Sequence, residues 1–109
     1  MPERTERGAL TEAVFYILLS VHMPLHGYAI MQNINTLSNG RVRLGAGTLY
    51  GAINTLLERG WIAFSPGQAD SRKKEYVITD AGRYAVAKEL ERLAELLENG
   101  NRIKEVCQP

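Results

Sequence analysis

Gly47, Thr48, Gly51, Asn54 and Thr55 fall on one side of a helix when residues 45–59 are wound at about 100° per residue. The strip is small and polar, with few charges. Its two glycines would let the helix approach a partner closely, and Thr48 and Asn54 can hydrogen-bond base edges in a major groove. Tyr50 lies on the flank of the strip, where its hydroxyl could donate to a phosphate. Arg72-Lys73-Lys74 is the only run of three basic residues, and Arg41 and Arg43 stand just before the strip. Placed on one face, these five cations would form a phosphate-binding stripe. Each group also has a plainer reading. An ordinary amphipathic helix can carry small surface residues, and short basic runs are often solvated turns.

Other chemistry finds little support. His22 and His26 are four residues apart, but Pro24 between them prevents a continuous helix. With a single cysteine, Cys107, no metal-ligand set assembles. His26 is better placed to cap a helix start. There is no nucleophile–base constellation, no phosphate-cradling glycine loop before a helix and no pair of buried acids. The expectation is a non-enzyme without metal or cofactor.

The elements that must hold these residues follow from periodicity. Leu10, Ala13, Val14, Ile17, Leu18 and Val21 predict a first helix over Thr11–His22. Phe15, Tyr16 and Leu19 make a second apolar side of that helix, and in so small a protein it suits burial against another subunit. A second helix is expected from about His26 to Leu37, with Ile30, Ile34 and Leu37 inward and Tyr28, Gln32, Asn35 and Thr36 outward. Asn39-Gly40 closes it with residues that tolerate left-handed backbone. The third helix turns Leu49, Ile53, Leu56 and Leu57 inward and ends at Gly60. Trp61–Ser65 and Lys73–Ile78 read as two strands around the turn-forming Pro66–Arg72, with Trp61 in the core. Thr79-Asp80 offers an N-cap and a first-turn acid for a last helix. That helix carries Val86, Leu90, Leu93 and Leu97 at coiled-coil-like spacing, and Asn99-Gly100 is expected to stop it.

Composition bounds the rest. The chain has 109 residues, 45% of them hydrophobic, with a formal net charge of +1. It is too short for two cores and too apolar for disorder. No apolar run reaches the length of a membrane span, and Met1–Gly8 lacks the pattern of a secretory signal. A single cysteine excludes an internal disulfide framework and fits a reducing cytosol. The small net charge hides an uneven distribution. Residues 41–74 hold six cations and two anions, a local +4, whereas residues 79–109 hold five cations and six anions, a local −1. A basic reading head is thus averaged with a neutral-to-acidic helix.

Leu25-His26-Gly27-Tyr28-Ala29-Ile30, Gly47-Thr48-Leu49-Tyr50, the Leu56–Gly60 helix end, and Arg72–Tyr76 with Ile78-Thr79-Asp80-Ala81-Gly82 together resemble the PadR family of bacterial transcriptional regulators. The order and spacing match from about residue 10 to 98. The resemblance implies a mainly α fold with a small β-hairpin: a winged helix-turn-helix plus a C-terminal dimerisation helix. It implies an N-terminal arm over residues 1–9, a DNA-binding domain over 10–78, a dimerisation helix over 79–99 and a flexible tail over 100–109. On this match the recognition helix is 46–58, with Thr48, Tyr50 and Asn54 facing DNA. Tyr28 meets the backbone at the start of the preceding helix, and Arg72, Lys73 and Lys74 form the wing. Glu75 stands where the family often has an aromatic.

The implied partners are double-stranded operator DNA and a second copy of the chain. The dimer interface would comprise Phe15, Tyr16, Leu19, Val86, Leu90, Leu93 and Leu97. Some relatives stack planar effectors between subunits on aromatic residues of the dimer helix. Here that helix has one aromatic, Tyr84, so a small-molecule effector would fall to Phe15 and Tyr16, whose plainer role is interface packing. The resulting expectation is a cytoplasmic, homodimeric, ligand-responsive repressor with no membrane partner. A small-molecule-binding or protein-interaction winged-helix module without DNA binding is the alternative.

Overall fold

A computed structural model of the chain describes residues 9–66 and 74–107. In chain order the elements are α1 (Glu12–Ser20), β1 (Leu25–His26), α2 (Gly27–Leu37), α3 (Ala46–Arg59), β2 (Ile62–Phe64), β3 (Glu75–Ile78) and α4 (Asp80–Val106). The expected mainly α class, four helices with a small sheet, is what the chain adopts.

Helix α1 is the centre of the core. Thr11 caps it by accepting from the Val14 amide at 3.3 Å, and Ile17, Leu18 and Val21 are fully buried. Ile30 and Ile34 of α2, Leu49, Ile53 and Leu56 of α3, and Ala85 and Val86 of α4 pack around it. A polar link ties α1 to α2: the Asn33 amide donates to Ser20 Oγ at 2.9 Å, and that hydroxyl donates to the Tyr16 carbonyl at 2.8 Å.

The sheet has three antiparallel strands in the order β1-β3-β2, one more than the expected hairpin. Leu25 and His26 pair with Tyr76 and Glu75, while Phe64 faces Tyr76 from the other side. A two-residue strand wedged between Pro24 and a helix start is too short to show alternation, so it left no periodic signal.

Leu37, expected inward, is 48% exposed. It lies in the last turn of α2, where the chain reverses through Asn39 and Gly40, both at positive φ. Ser38 takes the covered place instead. Its hydroxyl donates to the Ile34 carbonyl at 2.8 Å and accepts from the Val42 amide at 3.0 Å.

Asn99-Gly100 does not end the last helix, which runs unbroken to Val106 and takes in most of the expected tail. Glycine inside a helix costs about 1 kcal/mol relative to alanine, which weakens a helix without stopping it. No proline follows until Pro109, and Arg102 donates to the Asn99 side chain at 2.9 Å across the glycine.

Thr79 joins α4 to the sheet and to the end of α3. Its hydroxyl oxygen accepts from the Gly82 amide at 3.1 Å and donates to the Gly60 carbonyl at 2.6 Å, while its own amide donates to the Trp61 carbonyl at 3.0 Å. Thr79→Ala should therefore lose more than a simple cap. We expect about 1–2 kcal/mol, read as a fall of several degrees in the thermal midpoint.

Candidate nucleic-acid interface

The face of α3 turned away from the core is open. Leu49, Ala52, Ile53 and Leu56 are buried, whereas Gly47, Thr48, Gly51 and Asn54 are exposed. A Cβ built on Gly45, Gly47 or Gly51 would meet nothing within 4 Å, so the strip is smooth and unobstructed. Thr55 is the less available member, because its hydroxyl donates to the Gly51 carbonyl at 3.2 Å. The helix closes at Gly60, whose left-handed backbone (φ 77°) lets the Trp61 amide bond back to the Leu56 carbonyl.

One edge of this face is aromatic. Tyr50 is 42% exposed, and its ring lies against Gly27 at the first position of α2. Tyr28, the next residue, is exposed. The His26 ring caps α2, as its position suggested, by accepting from the Ala29 amide at 3.3 Å. Tyr76 is buried on β3, and its phenol is pushed above the usual tyrosine range, first by burial and then by the nearby Tyr50. The Tyr76 and Phe64 rings lie 5.5 Å apart, and the Lys74 ammonium sits 5.1 Å from the Phe64 centroid. Phe64 thus links Tyr76 of the sheet to Lys74, with Tyr50 of α3 near Tyr76. Arg72 and Lys73 lie outside the described residues.

The two arginines before α3 are placed differently. Arg41 donates to Glu12 of α1 at 2.8 Å, and this hydrogen bond raises its pKa further above the ordinary value. The Arg43 guanidinium folds back over the Asn39-Gly40 turn. Any phosphate approaching Arg41 must compete with a carboxylate.

Helix α4 is held to α1 near its middle. Glu89 is buried, with a carboxylate that takes two bonds from Arg92 at 2.8 and 2.6 Å and one from the Leu10 amide at 3.4 Å. Beyond this clamp Leu90, Leu93, Leu96, Leu97, Ile103 and Val106 are exposed on a single helix. Val86 does not join them. At 5% exposure it fills the core of the chain itself, because α4 still lies over α1 at that turn. Phe15, Tyr16 and Leu19 are half-buried against the core. A cavity of about 330 Å³ separates α1 from α4, with Phe15, Tyr16 and Leu93 on its apolar side and Glu12, Glu89 and Arg92 on its polar side.

Phe64, Gly27 and Glu12 were not visible as site residues in the sequence. Phe64 is the last residue of β2, where burial falls away from Ile62, and its ring is 46% exposed. Glu12 gave a signal only as a first-turn acid, which any helix welcomes. Among the described residues no helix is long and apolar enough to cross a membrane.

The arrangement has close structural counterparts. A transcriptional regulator from Clostridium thermocellum superposes with a TM-score of 0.68 at 24% identity, covering 88% of this chain and 93% of that one. A PadR-like transcription factor from Bacteroides fragilis gives 0.65 at 24% identity, over 82% and 86%. The RosR–S1 complex structure gives 0.67 at 26% identity, over 89% and 85%. An uncharacterized 37.1 kDa protein in transposon TN4556 of Streptomyces fradiae is 37% identical over 73 residues, 67% of this chain and 20% of that protein. The chain therefore spans about a fifth of the length of this relative. The model of the transcriptional regulator PadR-like family matches residues 15–97, a stretch that holds the open α3 face, the sheet beside it and most of α4, and to that family the chain belongs.

Proposed function

We propose that the protein is a homodimeric repressor that binds operator DNA through α3 and responds to a small molecule in the cytoplasm. The observation that carries the DNA reading is the unobstructed strip of Gly47, Thr48, Gly51 and Asn54, bordered by Tyr28 and Tyr50 and continued by Lys74. A helix with no bulky side chain on its outer face can sit deep in a major groove, leaving Thr48 and Asn54 to read base edges. Tyr28, Tyr50, Arg43 and the wing cations Arg72, Lys73 and Lys74 would hold the backbone, and Arg41 would join them by exchanging Glu12 for a phosphate. Two subunits would set their α3 helices about 34 Å apart on a pseudo-palindromic site.

Dimerisation is supported by the exposed Leu90, Leu93 and Leu97 on α4 beside the half-buried Phe15, Tyr16 and Leu19 of α1. The cavity between those helices supports the ligand response, with Phe15 and Tyr16 as its aromatic wall.

The test is selection of bound fragments from genomic DNA, followed by titration of the best fragment at several salt concentrations. A shared sequence motif should emerge. If a dimer neutralises about six phosphates, affinity should fall about 10³-fold between roughly 50 and 200 mM salt. Recovery of random fragments, or a flat salt response, would remove sequence-specific DNA binding from the assignment.

A further inference from the structure

We infer that Gly27 is a positioning residue for DNA binding: by lacking a side chain, it forms the seat that fixes the Tyr50 ring beside the reading face of α3. This rests on the DNA-binding function proposed above.

The reasoning begins with why a glycine stands there. Gly27 is not among the residues at positive φ, so its backbone conformation is open to any amino acid. It occupies the first position of α2, where alanine is the better helix former. Neither backbone geometry nor helix stability accounts for it. Space does: a Cβ on Gly27 would overlap the Tyr50 hydroxyl and its Cζ, and come within 2.8 Å of Cε1. Gly45, Gly47 and Gly51 have no such neighbour, which makes Gly27 different in kind from the glycines of the reading strip.

Tyr76, on the middle strand of the sheet, lies near enough to Tyr50 for that phenol to add to the effect of burial in raising the Tyr76 pKa, and Tyr76 is fixed by pairing with Leu25 and Phe64. Tyr50 is backed by the start of α2 while remaining partly exposed. A side chain held in this way arrives at DNA with its rotamer already chosen, and less conformational entropy is lost on binding. It also fixes the phenol relative to Tyr28. An added methyl on Gly27 would displace the far end of a side chain rather than any backbone. The expected response is an outward swing of Tyr50 with the fold retained.

The experiment compares Gly27→Ala, Tyr50→Ala and the double variant in the full chain. Binding to the best genomic fragment would be read by fluorescence anisotropy, and the Tyr50 ring by NMR of ¹³C-tyrosine protein, with its signals assigned by their loss in Tyr50→Phe. Gly27→Ala should shift the Tyr50 ring signals and weaken binding about tenfold or more, the size of a lost hydrogen bond to a charged group. The double variant should bind no worse than Tyr50→Ala alone. Multiplying losses, or unmoved ring signals, would overturn the positioning role. If Gly27→Ala melts early, recovery of the melting temperature in the double variant supports the seat; equal instability of both overturns it. The ring signals need no DNA. If the wild type selects no fragment, the DNA reading fails while the NMR result still decides whether Gly27 seats Tyr50.

Discussion

Aspartate at both Leu93 and Leu97 should turn the proposed dimer into a monomer that keeps its fold, as measured by light scattering and circular dichroism. These two leucines lie on the part of α4 beyond the Glu89 clamp, and Leu97 is 65% exposed in the single subunit. Their removal costs the subunit little, because they do little for its core. In a dimer built on this surface each substitution buries an uncompensated carboxylate, twice over by symmetry. A cost of several kcal/mol should raise the dissociation constant by about 10³-fold or more. Operator affinity should collapse with it, since one half-site is then held alone. A variant that stays dimeric would move the interface away from α4.

Among the described glycines, Gly82→Ala should be the most destabilising substitution. Gly82 is buried in the first turn of α4, and a Cβ there would collide with the Trp61 carbonyl oxygen and come within 2.7 Å of Ile78 Cγ1. That carbonyl cannot retreat cheaply, because it already accepts the Thr79 amide. The gain in helix propensity is smaller than the cost of overpacking against backbone, so a net loss of about 2 kcal/mol is expected. For a chain of this size that is a drop of roughly 10 °C in thermal midpoint. The contrast with Gly27 is informative: there the obstructing atoms end a movable side chain, here they belong to the main chain. An unchanged midpoint would mean that α4 can shift on the sheet.

Much of this architecture was legible because helices with one buried face repeat their apolar residues every three to four positions. His26, Thr79 and Gly60 marked helix ends through side-chain or backbone chemistry that acts locally, and each performs the expected capping, while Thr11, expected as the first helical residue, caps α1 instead. The elements that escaped depend on tertiary context. β1 exists because Leu25 and His26 find β3 fifty residues away, and Leu37 is exposed because the chain turns before anything covers it. Val86 carries the heptad spacing of the α4 leucines, yet it lies where α4 still has its own core to fill. Spacing assigns a residue to a stripe; only the neighbouring helix decides which stretch of the stripe is covered at home. Thr48 and Asn54 were readable as an outward face, whereas the Gly27 seat for Tyr50 joins residues 23 positions apart and left no mark in either segment.

In the dimer proposed above, the unbroken course of α4 through Gly100 would make the helix a lever. Its fulcrum is the Glu89–Arg92 clamp at the Leu10 amide, and the arm beyond it, residues 90–106, is about 25 Å long at roughly 1.5 Å per residue. A tilt of about 10° at the fulcrum carries the tip about 4 Å, close to one base-pair step along DNA. The cavity touches the fulcrum through Glu89 and Arg92. In that proposed dimer, a molecule wedged there would act at the short end of the arm, where a small displacement would be magnified into a change of spacing between the two α3 helices.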